Sequence, residues 1–82
     1  MFEKVGVNMD NLEIDAKTIA SNIKALRERL NLSQEAMAWK LGYSDRQLRR
    51  IERNGTNNIS VINFIAVTFS VPAMSILKKD AF

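Results

Sequence analysis

From Asp15 onward, apolar residues recur at the three- and four-residue spacing of helices, broken at intervals by asparagine, glycine and proline. Ile19, Ile23, Leu26 and Leu30 share one face of a first helix that begins after Asp15, and Asn31 is placed to leave it in the left-handed conformation. A second helix, 33–41, buries Met37, Ala38 and Leu41. A third starts at Ser44, is anchored by Leu48 and Ile51, and ends at Asn54-Gly55. A fourth, about 59–69, opens on Asn58 and carries Ile62, Ile65, Ala66 and Phe69 as its core stripe. Val61, Phe64 and Val67 fall on its other side, where a solitary surface helix is polar, so this helix is expected to be covered on both faces. Pro72 breaks the pattern, and a short fifth helix, 73–78, returns Ile76 and Leu77 to the core. Ahead of Asp15 the period changes: Val5, Val7 and Met9 alternate before the turn-like Asp10-Asn11, which predicts a short strand or an arm that orders only against a partner. The expected organisation is an N-terminal arm (1–15), an all-α five-helix domain (16–78) and a C-terminal tail (79–82), with no internal repeat and no low-complexity segment.

The apolar run 61–77 is shorter than the ~20 residues a bilayer span needs, and Asn63, Thr68, Ser70, Pro72 and Ser75 interrupt it. No membrane association is expected from it. A core helix with a dimer interface, formed by Val61, Phe64 and Val67 together with Met74, accounts for it better. The 82 residues include no cysteine and no histidine, which removes disulfides, thiolate metal sites, the commonest metal ligand and the commonest general base. The carboxylates form no catalytic constellation, so neither an enzyme nor a metal, cofactor or small-molecule ligand is expected. A cysteine-free chain fits a reducing cytoplasm, and the N-terminus lacks the basic start and long apolar block of a signal peptide. A domain this small gains stability by dimerising. The net charge of +3 is unevenly spread: residues 1–18 hold two basic against four acidic groups, the rest ten basic against five. An acidic arm on a basic domain suits phosphate contact by the domain, and an arm that reads the minor groove is basic, so this arm is expected to touch protein.

The stretch 32–55, LSQEAMAWKLGYSDRQLRRIERNG, concentrates the candidate chemistry. Ser33 can cap the second helix, and Gly42 tolerates the left-handed backbone of a sharp exit. Ser44 can cap the third, with Gln47 three residues on as its capping-box partner. With Leu48 and Ile51 turned inward, Asp45, Arg46, Arg49 and Arg50 face outward. Two short helices joined by a tight turn, the second rich in arginine, make a helix-turn-helix able to enter the major groove.

The same residues resemble the phage-repressor and Cro type of helix-turn-helix, the XRE family. Leu32-Ser33-Gln34, Ala38, Leu41-Gly42, Leu48 and Ile51-Glu52 stand at family spacing, preceded by Arg27, and the wider likeness runs from about Ile19 to Leu77. The resemblance implies a lambda-repressor-like fold, a sequence-specific DNA-binding transcription regulator, and double-stranded DNA as its partner. It points to small phage-type repressors, restriction–modification controller proteins and antitoxins as relatives. Arg46 and Arg50, at matching family positions, are the first candidates for base contacts, and arginine can donate two parallel bonds to guanine O6 and N7. Asp45 either accepts from a cytosine amino group or orients Arg49, and Arg49 itself suits a phosphate. The family uses a glutamine at the position of Gln34 to hold backbone phosphate and brace the recognition helix. Tyr43 and Ser44 lie in the turn, within reach of phosphate, although capping alone explains Ser44. Asn54, Thr56 and Asn57 follow the third helix, where related proteins touch the backbone; turn formation explains them equally. Arg27 and Glu52 are expected to pair and lock the third helix onto the first, a structural role.

Two features depart from the family pattern. Trp39 takes an outward position that is usually polar, where either the arm covers it or it stands as an exposed contact, the arm being favoured, and the loop NGTNNIS lacks a proline often found there. The expected function is a homodimeric, cytoplasmic, nucleoid-associated regulator reading a pseudo-palindrome. The rival is a protein-interaction module, antitoxin-like, with DNA binding secondary.

Overall fold

A computed structural model describes residues 15–79 and Phe82. Among these residues the chain forms five helices and no strand: α1 (Ala16–Arg29), α2 (Gln34–Leu41), α3 (Asp45–Asn54), α4 (Ile59–Thr68) and α5 (Ala73–Leu77). The expected arm lies outside the described residues apart from Asp15.

Short polar side chains start four of the five helices by accepting amides that no earlier turn can satisfy. Asp15 accepts from the Thr18 amide at 2.8 Å, Ser33 from Ala36 at 3.0 Å, Ser44 from Gln47 at 3.1 Å, and Asn58 from Ser60 at 2.9 Å. Accepting the Thr18 amide pulls the Asp15 carboxyl below its ordinary range. Left-handed residues then stop the helices. Asn31 (φ 58°) follows α1, Gly42 (φ 74°) follows α2 and Ser70 (φ 57°) follows α4. At each stop the next amide reaches back five residues: Leu32 to Arg27, Tyr43 to Ala38 and Val71 to Ala66.

α1 packs on α3 and α5, α2 on α3 and α4, and α4 on α5. Ile19, Ile23 and Leu26 of α1, Met37, Ala38 and Leu41 of α2, Leu48 of α3, Ile62, Ile65 and Ala66 of α4 and Ile76 of α5 form one buried cluster. Leu30 departs from the expected α1 face. The helix ends at Arg29, the chain turns at Asn31, and Leu30 is left 41 % exposed while Leu32 takes the inward place. α4 ends a residue early, so Phe69 caps it and packs at the edge of the core; α5 likewise stops at Leu77.

Two residues fix how the helices meet. Asn22 is the one buried polar residue described, and its Nδ2 donates at 2.8 Å to the carbonyls of both Ile76 and Lys78. These are orphan carbonyls at the end of α5, so one amide side chain caps α5 and ties it to α1. Gly55, which closes α3, adopts φ 75° with extended ψ, and a β-carbon there would overlap the Ala16 carbonyl. Glycine is therefore required twice over, by conformation and by the close approach of α3's end to α1's start.

Candidate nucleic-acid interface

α2, the turn at Gly42-Tyr43 and α3 are the helix pair expected from the sequence. α3 begins with a complete capping box: the Gln47 amide donates to Ser44 Oγ, and the Ser44 amide donates to Gln47 Oε1 at 2.9 Å. Only Leu48 of α3 is fully buried, with Ile51 half-buried beneath it. The opposite face is left to Arg46, Arg49, Arg50 and Arg53, all exposed, at the i, i+3, i+4, i+7 spacing of one helical stripe. With Asn54 they line a shallow concavity of about 320 Å³. Asp45 does not pair with Arg49: among the described residues the ion pair present joins Arg27 to Glu52 instead. Four guanidinium groups therefore project from one helix with no carboxylate among the described residues bound to them, which suits an external polyanion.

Buried polar contacts hold α3 at its inner face. Arg27 of α1 donates through Nε to Glu52 Oε2 at 2.6 Å and through Nη2 to Glu52 Oε1 at 3.1 Å. Its Nη1 donates to the Leu32 carbonyl at 3.1 Å. Gln34 of α2 completes the arrangement, its Nε2 donating to Glu52 Oε1 at 3.0 Å. The Glu52 and Arg27 side chains are 4 % and 13 % exposed, so this fork is shielded from water. Hydrogen bonding to Glu52 raises the Arg27 pKa above its already high ordinary value. Glu52 thus gathers one side chain from α1 and one from α2, and fixes how far α3 stands out from both.

Tyr43 is half-buried, its ring 5.9 Å from that of Phe64 and tilted 52° to it, and burial pushes its phenol pKa up. The turn is thereby fastened to α4. Ser44 is occupied as a cap. Thr56 Oγ1 accepts the Asn58 amide at 3.1 Å, which makes it a turn former, while Asn57 and Asn54 are exposed. Phe64, Val67 and Met74 are exposed, with Val67 at 78 %, whereas Val61, expected beside them, packs against the core. The reason is angular: Val61 precedes Ile62 and shares the flank of α4 that meets Tyr43 and Ile51. Trp39 is 82 % exposed and walls an apolar groove of about 640 Å³ with Leu30, Leu32, Lys40, Thr68 and Phe69. The arm expected to cover it lies outside the described residues.

The sequence reading passed over Asn22, whose buried amide has no periodic signature, and the steric demand at Gly55. It also left Arg53 out of the candidate site, although the i+7 spacing from Arg46 was there to be read.

The Helix-turn-helix (HTH_3) family model matches residues 23–68, more than half of the chain. The chain belongs to this helix-turn-helix family, of the XRE type. The matched segment includes Arg27, all of α2, α3 and α4, and therefore the whole arrangement around Glu52. In structure, this helix-turn-helix protein is similar to a hypothetical transcription factor, NHTF, from Neisseria. The TM-score is 0.72 with 26 % identity, covering 79 % of this chain and 76 % of that one. It is also similar to an HTH_3 family transcriptional regulator from Vibrio cholerae, with a TM-score of 0.64 and 31 % identity over 74 % of this chain. The likeness spans only 34 % of that regulator's chain. No protein of curated function matches. Among the described residues, no helix is long and apolar enough to cross a membrane.

Proposed function

We propose that this helix-turn-helix protein is a sequence-specific DNA-binding transcription regulator that inserts α3 into the major groove and binds a pseudo-palindromic operator as a homodimer. The observation that carries the reading is the stripe Arg46, Arg49, Arg50 and Arg53 on a capped helix whose inner face is pinned by Glu52. A major-groove helix must present hydrogen-bonding groups rigidly, because a loosely held helix loses in ordering entropy what it gains in contacts. Arg46 and Arg50 contact base edges; Arg49 contacts phosphate. Asp45, at the start of α3, accepts from a cytosine amino group; Gln34, Tyr43, Ser44, Asn54, Thr56 and Asn57 stand at the two ends of α3 and serve the sugar-phosphate backbone. The kinship with transcription factors supports this reading.

Dimerisation rests on the outer side of α4 and α5. Phe64, Val67 and Met74 are large apolar side chains exposed on neighbouring helices, and a second copy placed across them by two-fold symmetry covers both patches at once. The two α3 helices of such a dimer reach half-sites about one DNA turn, ~34 Å, apart. The protein-interaction reading is favoured by another observation, the groove beside Trp39, which reaches from α2 to the end of α4 and suits an apolar partner segment.

The test is selection of bound sequences from random duplex DNA, followed by titration of the winner at several salt concentrations. An inverted repeat with half-sites one turn apart, bound by two chains, is expected. Weak binding indifferent to sequence and abolished by modest salt would reduce the interaction to phosphate attraction and return the α4 face to a different protein partner.

A further inference from the structure

The side chains that α3 offers a base are of three kinds: arginine, the carboxylate of Asp45, and the carboxamides of Gln47 and, at the last position, Asn54. Adenine is read by a carboxamide that uses its oxygen and nitrogen together on N6 and N7. In the base-reading N-terminal half of α3 that means Gln47, and its oxygen is already taken. Gln47 Oε1 accepts the Ser44 amide at 2.9 Å, while the Gln47 amide donates to Ser44 Oγ at 3.1 Å. Turning to an adenine would leave the Ser44 amide without its partner and dismantle half of the cap that starts the helix. The arginines are under no such claim. All four are exposed, line one concavity and bind no carboxylate among the described residues.

Resting on the reading of α3 as the major-groove element, we propose that the purine edges of each half-site are read by arginine alone. Gln47 is withheld as a structural cap, and Arg46 and Arg50 specify two G·C pairs in each half-site. Four helical residues advance about 6 Å along the axis, against ~3.4 Å per base-pair step, so the two pairs stand about two steps apart. Arg53, a further turn toward the C-terminal end of α3, lies beyond the half that reaches base edges and takes a phosphate. No adenine within the α3 footprint is read through its N7.

The experiment uses the intact chain and the duplex obtained by selection, with 7-deazaguanine or 7-deazaadenine substituted one position at a time. The modification removes one acceptor from the major-groove edge and requires no change to the protein. Two guanines per half-site should each weaken binding roughly ten-fold when N7 is removed, a loss within the range of one bidentate contact. 7-Deazaadenine should change it less than about two-fold anywhere in the half-site. Arg46→Ala and Arg50→Ala should each abolish the effect at one of the two guanines, while Gln47→Ala should preserve the order of preference among variant sites. A strong loss at an adenine, or a preferred site without the two G·C pairs, would overturn the arginine-only readout of purines and leave the regulator reading intact. Selection that enriches no sequence would instead overturn the regulator reading, and this inference with it.

Discussion

α3 and α4 are both ten residues long, yet they are secured in opposite ways. α4, ISVINFIAVT, buries Ile62, Ile65 and Ala66 and still exposes Ile59, Phe64 and Val67. α3, DRQLRRIERN, buries Leu48 fully and Ile51 only in part, and adds a directional attachment at Glu52, gripped by Arg27 and Gln34. A helix whose outer face must stay charged cannot be fixed by a broad apolar stripe, so directional bonds at a single buried carboxylate take over that role. Directional bonds also set depth and rotation, which apolar packing leaves looser. Among the described residues, α4 keeps more apolar area exposed than a solitary surface helix does.

The largest way to break this contrast is to remove the carboxylate. Glu52→Ala leaves the Arg27 guanidinium shielded without its partner and should cost about 3–5 kcal/mol of unfolding free energy, read by denaturant melts. A well-packed Arg27→Met/Glu52→Leu double variant should recover most of that loss while holding α3 less specifically. If Glu52→Ala proved as stable as the parent, the attachment of α3 would have to lie elsewhere. Next comes Asn22→Ala, which orphans the Ile76 and Lys78 carbonyls; a loss of about 1–3 kcal/mol is expected. That loss should loosen α5 and with it one half of the apolar outer face, visible as faster amide exchange at the carboxyl end of the domain. Ser70→Gly acts in the other direction: it removes the ~1–2 kcal/mol cost of a left-handed L-residue at the end of α4 against the ~0.5–1 kcal/mol of extra chain entropy that glycine brings, so a net stabilisation of about 0.5–1 kcal/mol is expected. Val67→Asp should alter stability by less than about 0.5 kcal/mol, since the residue is exposed, yet shift the chain toward monomer in sedimentation and weaken binding to a two-half-site duplex. Unchanged sedimentation would remove Val67 from any interface.

The smallest effect concerns the start of α1, whose first residue meets Gly55 at the end of α3. The Asp15 carboxyl has a folded pKa below its unfolded value of ~3.9, so its stabilising cap is fully present above that value. The contribution disappears as pH falls through the lower folded pKa. Asp15→Ser should keep a cap and flatten this part of the acid limb in a series of thermal melts between pH 2 and 5.

The α3 side was more legible in the sequence than its supports. Caps, turn glycine, inward anchors and outward arginines are all local features, each written within a few neighbouring residues, and the five helices follow from them. Arg27 and Glu52 were approached only through family likeness, since no local rule joins residues twenty-five positions apart. Gln34's bond to the same carboxylate shows why: three helices must converge before one acceptor can serve two donors. Asn22 was invisible because a buried asparagine in an apolar stripe looks like a polar interruption until α5's carbonyls arrive above it. Leu30 and Val61 were misplaced because an ideal helical period says nothing of where a helix ends or which neighbour fills its flank.

The central claim is that α3 lies in the major groove, carried there twice by a symmetric pair of chains. Methylation protection of the selected duplex tests it most directly, because dimethyl sulfate reports guanine N7 in the major groove and adenine N3 in the minor groove. Two clusters of protected guanine N7 on one face of the duplex, about one helical turn apart, and lost with Arg50→Ala, are the predicted result. Protection confined to adenine N3, or a single cluster unaffected by Arg50→Ala, would contradict the account.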